Sequence, residues 1–299
     1  MSRQHVLEAS FKTCGEYLMS LSTTIDKIMN AVCPSYWAFL NRGFGVNSNT
    51  NFEAIYPDFY IHTLWSSIFF VSLFMLFQPV ITKLAPKWYA SLETKNAREL
   101  PSYAVCMVHH LYIVPWAALS IWSDFWRQEE DWKAHEYRLT ECQVVPILVG
   151  YLVADLLCSA LPHGQWEYVV HHTITLWLTS AGTFALPPYT ARFIPHLLIC
   201  DVTQLTYNTS WLLRLAPEPT SKNQYVEKLI AICEISFLLF FLILRVINMP
   251  LCFLVQLKHG AAVGMGLARF TFIPLTIMQW FWAMKVVRKV QQKLKLKRP

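Results

Sequence analysis

Two adjacent histidines, His171 and His172, stand about a turn inside an apolar stretch that opens Glu167, Tyr168, Val169, Val170. Asp201 lies in the middle of the next apolar stretch. An imidazole takes up and delivers protons near neutral pH and can accept an acyl group, and a carboxylate beside it orients the ring. Ionisable groups at membrane depth are costly, so these positions read as functional rather than as anchors. Neighbouring helical residues point about 100° apart. One histidine can therefore face a cavity while the other braces it or faces another helix, and the sequence leaves open which does which.

Other polar residues recur at helical spacing. Asp201, Gln204 and Asn208 share one helix face, as do Tyr151, Asp155 and Ser159, His109 and Tyr112, and His172, Thr175 and Thr179. Glu234, Arg245 and Asn248 are close to whole turns apart, and Arg269, Thr276 and Gln279 nearly align. The catalytic set expected from this pattern is His171, His172 and Asp201. The substrate-binding set is Asp155, Gln204, Asn208, Arg245 and His109, with Arg245 suited to a phosphate or carboxylate head group. Hydroxyl and amide stripes also hold helices together without other function, and Asp155, Glu234 and Arg245 could equally form a structural ion-pair set.

The elements that must position these groups are membrane helices. The 299 residues are 55% hydrophobic and 15% charged, against about 25% charged in soluble domains, and the mean hydropathy is +0.33. Apolar stretches run over 58–83, 102–123, 142–161, 167–186, 190–213, 228–256 and 264–287. A span needs about 20 residues, so the expected fold is all-α: a multi-pass transmembrane helical bundle of seven spans. Six of these carry a polar stripe and would surround a central polar cavity, with the first packed outside. Residues 1–56 form an N-terminal extension in which Leu7, Phe11, Leu18, Leu21, Ile25 and Ile28 predict an amphipathic helix. Residues 57–290 form the transmembrane domain, and 291–299 a basic tail. No cleavable signal peptide is expected, since the first 27 residues lack an apolar core.

Lys/Arg placement gives the orientation. Lys83, Lys87, Lys95 and Arg98 lie between the first two spans, and Arg214, Lys222 and Lys228 between the fifth and sixth. The tail holds Lys293, Lys295, Lys297 and Arg298, whereas the stretch between spans two and three is acid-rich. This puts the C-terminus in the cytosol. Lys295 and Lys297 resemble a dilysine retention signal of the endoplasmic reticulum; attraction to anionic lipid accounts for the same tail. The net charge of +6 reflects that clustering, so no nucleic-acid partner is expected. The eight cysteines include no C-x-x-C pair, which indicates neither a zinc site nor a disulfide framework.

Paired histidines opening one span, an Asp in the next and an Arg late in a following aromatic-rich span resemble the TLC-domain family, over about residues 97–290. The resemblance is most specific from Tyr151 to Leu215, with weaker support from Phe237 to Pro250. It implies a ring of six helices around a cavity in a membrane protein of lipid metabolism. In the ceramide synthases of the family an acyl chain passes from acyl-CoA to a sphingoid amine. By resemblance His171 and His172 match the paired catalytic histidines, and Asp201 the first Asp of D-x-x-D. The chain departs from that motif: Gln204 replaces the second Asp, and Cys200 precedes Asp201 where the family has His.

Three functions compete. In acyl transfer, a histidine acts as base or nucleophile with Asp201 orienting it; acyl-CoA is a co-substrate and no cofactor is bound. A non-enzymatic lipid-binding or membrane-composition regulator uses the same cavity for a head group, a reading that Gln204 favours. A metal-dependent hydroxylase or desaturase needs several imidazoles at set intervals. His109, His110, His163, His171, His172 and His196 are numerous enough, but no H-x-x-x-H occurs and Tyr168 breaks H-x-x-H-H, so no metal is expected. Membrane lipids and acyl-CoA are the expected partners, and the oligomeric state is left open.

Overall fold

A computed structural model describes residues 59–126, 136–184, 194–218, 220–260 and 272–296, with Thr24, Lys27, Ile28 and Ala31 as isolated positions before them. The expected amphipathic helix of the N-terminal extension, the acid-rich stretch 127–135, Arg269 and residues 297–299 lie outside that description. The regular elements among the described residues are all helical. In chain order they are α1 (Phe59–Leu84), α2 (Pro86–Ser91), α3 (Thr94–Trp126), α4 (Glu136–Asp155), α5 (Trp166–Phe184), α6 (Ile194–Leu198), α7 (Val202–Leu215), α8 (Gln224–Phe240), α9 (Met249–Gly260) and α10 (Phe272–Leu296).

Among the described residues each of the seven apolar stretches is matched by helix, in five cases with a break or with bounds shifted by several residues. Among the described residues three helical stretches are long and apolar enough to cross a membrane: Tyr60–Leu84, Thr94–Trp122 and Gln224–Val255. Val144–Ala160 is a shorter apolar helix. Helix is the form expected in lipid, because it satisfies every backbone group internally. Leu64, Trp65, Phe69, Met75 and Leu76 of α1 and Ile235, Leu239, Leu242 and Ile243 after the start of α8 remain exposed. Apolar surface on that scale fits a lipid-facing exterior.

The principal core joins α1, α3, α4 and α6 through Phe70, Phe74, Val105, Ile113, Leu148 and Leu152, among others. The close approach of α1 to α4 depends on Gly150: a Cβ there would lie 2.7 Å from the carbonyl carbon of Ser66. The Ser66 hydroxyl donates to the Ile147 carbonyl (3.3 Å) across the same contact. A smaller cluster of Met249, Phe253 and Leu275 joins α9 to α10. Trp88 ties α2 to the end of α7 by donating Nε1–H to the Leu215 carbonyl at 2.6 Å.

Two π-helical segments widen the turns at the polar residues. Leu156–Ala160 follows α4 directly after Asp155. The chain then closes through Gln165 N–H to the Ala160 carbonyl (2.9 Å) and Gly164 N–H to the Leu161 carbonyl (3.1 Å). This is the Schellman pattern, with Gly164 at φ 63° where a side chain would be strained. It turns the chain into α5 and brings His172 beside α4. Phe241–Asn248 is the second π segment; it carries Arg245 and ends before Pro250, which has no N–H to give.

Candidate functional site

A cavity of about 350 Å³ is lined from α3, α4, α5, α6, α7, the second π segment, α9 and α10. Every residue of the expected catalytic and substrate-binding sets borders it: His171, His172, Asp201, Asp155, Gln204, Asn208, Arg245 and His109. Residues far apart in the chain thus converge, and most are buried. His109, His172, Asp155, Asn208 and Arg245 are each at most 6% exposed, whereas the Asp201 side chain keeps 23%.

The pairing within the cavity differs from the expected one. The spacing predicts that Asp201 orients the histidine pair; it lies instead between Arg245 and His110. Arg245 Nη2 is 3.3 Å from Asp201 Oδ1, and His110 Nε2 is 3.6 Å from Asp201 Oδ2. The carboxylate beside the histidine pair is Asp155, whose Oδ2 lies 3.4 Å from His172 Nδ1, within ion-pair reach. The reason is the turn at Gly164, which sets the start of α5 against the end of α4, while α6 and α7 approach α3. Asp155 is held on its other side by the Ser102 hydroxyl, which donates to Oδ1 at 3.2 Å and accepts from Ser159 at 3.0 Å.

His171 and His172 both reach the cavity. Their rings are 5.5 Å apart. His171 meets the edge of Trp282 on α10, with centroids 5.1 Å apart, and its Nδ1 has no hydrogen-bond partner among the described residues. Trp282 in turn donates Nε1–H to Glu167 (3.4 Å), which also pairs with Lys285. His172 is therefore the imidazole beside a carboxylate and His171 the one against an aromatic ring, and Nδ1 of each lacks a hydrogen-bond partner among the described residues.

Arg245 is the best-satisfied cation in the cavity. Its Nε donates to the Thr203 hydroxyl at 2.8 Å and the Cys200 carbonyl at 3.3 Å, and Nη1 to Gln279 Oε1 at 2.9 Å. Asp155, Glu234 and Arg245 do not form one ion-pair set: Asp155 pairs with His172, Arg245 with Asp201, and Glu234 with Arg214. On α3 the cavity-facing row is Ser102, Cys106, His109 and His110 rather than His109 with Tyr112, which is 48% exposed. His109 stacks on Tyr151 with centroids 4.0 Å apart.

Sequence reasoning missed His110, Ser102, Cys106, Thr203 and Trp282 as members of this site. The spacing of Ser102, Cys106 and His110 at i, i+4, i+8 was the available signal. Among the described residues, no group of three or more His, Cys, Asp or Glu is placed to hold a metal ion. Two imidazole–carboxylate pairs in a largely buried cavity are suited to moving protons at a bound polar group. A model of the TLC domain matches residues 99–288, the segment that contains both imidazole–carboxylate pairs. No curated protein and no solved structure matches the chain.

Proposed function

Because the chain belongs to the TLC-domain family, we propose that it is a lipid-handling membrane protein of the endoplasmic reticulum that transfers an acyl group from acyl-CoA to a sphingoid base or similar acceptor. Its seven apolar stretches are the spans, six of them form the ring around the cavity, and the C-terminus faces the cytosol. The observation that carries the reading is the presence of two imidazole–carboxylate pairs, His172–Asp155 and His110–Asp201, on one cavity. A volume of about 350 Å³ falls within the range of small-molecule sites.

In this reading the Asp155 carboxylate, 3.4 Å from His172 Nδ1, favours the tautomer that leaves Nε2 as the basic nitrogen. His172 removes the proton from the acceptor amine as nitrogen attacks the acyl carbon. His171, Gln204 and Asn208, which line the same cavity, bind the polar end of the acceptor. Arg245 holds Asp201 in place. A second reading, lipid binding without turnover, is favoured by Gln204, which stands where the synthases of the family have a carboxylate.

Whole-lipid mass spectrometry of cells lacking the protein, rescued with wild type or with His171→Ala/His172→Ala, separates the two. Acyl transfer predicts that one acylated lipid class falls, its free amine or hydroxyl precursor rises, and only wild type restores both. Full rescue by the double variant would sink the catalytic reading and leave lipid binding.

A further inference from the structure

On the α3 wall of the cavity a thiol, an imidazole and a carboxylate stand in line. Cys106 and His110 are four residues apart on one helix face, and Cys106 Sγ lies 3.2 Å from His110 Nδ1. The other ring nitrogen, Nε2, lies 3.6 Å from Asp201 Oδ2. Asp201 is anchored from behind by Arg245 at 3.3 Å. Cys106 is partly exposed and borders the cavity, as do His110 and Asp201. A second contact acts on the sulfur: Asn208 Nδ2 donates to Sγ at 3.1 Å.

The chemistry of this order is specific. A carboxylate 3.6 Å from Nε2 favours the tautomer that carries the ring proton on Nε2. Nδ1 is then the bare nitrogen, and it faces the thiol. Nucleophile, base and orienting carboxylate stand in the sequence used by triads, recognised by geometry rather than by position in the chain. Free thiols are intrinsically strong nucleophiles once deprotonated, and the Asn208 amide N–H points at the sulfur.

We propose that Cys106 is a covalent acyl carrier, with His110 as its base and Asp201 as the residue that positions His110. The proposal rests on the acyl-transfer reading above and takes a long-chain acyl thioester as the donor. The Cys106 proton passes to His110 Nδ1 as sulfur attacks the thioester carbonyl. The new C–S bond to Cys106 forms, the C–S bond to the donor breaks, and His110 returns its proton to the departing thiolate. One thioester replaces another, so no oxidant or energy source is needed. The acceptor amine, giving its proton to His172, then attacks the acyl-Cys106 carbonyl; the C–S bond breaks, the amide leaves, and the Cys106 sulfur is reprotonated through His110 from solvent while His172 releases its proton there.

The test uses the full chain purified in detergent and incubated with palmitoyl-CoA carrying a terminal alkyne, with and without sphinganine. Adducts are tagged through the alkyne, challenged with neutral hydroxylamine, which cleaves thioesters, and mapped by mass spectrometry. The expected result is a hydroxylamine-labile adduct on Cys106. It is absent in Cys106→Ala, and forms at least about 100-fold more slowly in His110→Gln, the scale of a lost general base. Cys158→Ala leaves it unchanged. Cys106→Ser, nearly isosteric and checked for an unaltered size-exclusion profile, replaces any labile adduct with a hydroxylamine-resistant ester or none. N-Acyl product from Cys106→Ala at the wild-type rate would overturn the carrier role while leaving acyl transfer intact. Neither adduct nor product from wild type, for any sphingoid base tried, would overturn both. Equal adduct rates in wild type and His110→Gln would overturn the triad.

Discussion

Replacing Arg245 by leucine tests whether the polar wall between α7, α10 and the second π segment is one coupled unit. Arg245 is 4% exposed and gives hydrogen bonds to Asp201, Thr203, the Cys200 carbonyl and Gln279. Removing one partner of a buried pair costs about 3–5 kcal/mol, because the remaining charge is left uncompensated. Two features place the cost near the lower end. Asp201 retains 23% side-chain exposure to the cavity, and His110 lies 3.6 Å from its other oxygen. Arg245→Leu should therefore destabilise by about 3 kcal/mol. At about 2–4 °C per kcal/mol, the thermal midpoint of the detergent-purified chain falls by roughly 6–12 °C. Adding Asp201→Asn removes the stranded charge, so the double variant should recover about 1–3 kcal/mol relative to the sum of the two singles. Tryptophan fluorescence or survival on size exclusion reads all four proteins of the cycle. Strictly additive losses, or a single-variant loss below about 1 kcal/mol, the level of an exposed pair, would refute the coupling.

Three further outcomes follow from other contacts. If His172 and Asp155 act together, His172→Ala and Asp155→Asn each lower N-acyl product formation, and the double variant is no slower than the worse single, since residues that act as a unit are non-additive; losses that multiply would show that Asp155 acts elsewhere. Gly150→Val forces α1 and α4 apart, because a Cβ would lie 2.7 Å from backbone of Ser66; a destabilisation of about 1–3 kcal/mol is expected for such overpacking, and an unchanged melting midpoint would contradict the α1–α4 contact. Lys285→Met breaks the pair with Glu167, but both side chains are 44–48% exposed, so the midpoint should shift by less than about 1 kcal/mol equivalent; a larger fall would assign the Glu167–Trp282 contact a part in holding α10.

Much of the architecture was legible because apolar length and helical period are local properties. The seven apolar stretches and the polar stripe of Asp201, Gln204 and Asn208 required no knowledge of neighbouring helices, and all three of those residues border the cavity. The bounds were less legible: α3 starts at Thr94 and runs through Pro101, where a proline after a basic stretch reads as a helix end. The breaks were not legible at all. The π segments after Asp155 and before Pro250 come from backbone accommodation that composition does not announce.

The chain's composition, its apolar periodicity and the paired histidines with a following Asp were sufficient to reach an all-helical member of the TLC-domain family with its polar residues directed to one place. Which groups meet there was decided by tertiary structure. His110 was indistinguishable from His109 until α7 came against α3, and Asp201 could serve either histidine pair until the Gly164 turn set Asp155 beside His172. The physical reason is reach. A helix carries its side chains at known angles about its own axis, but an ion pair forms over 3–4 Å between axes whose rotation and depth are fixed by contacts such as Gly150 against Ser66. Spacing along the chain specifies the face; only packing specifies the partner.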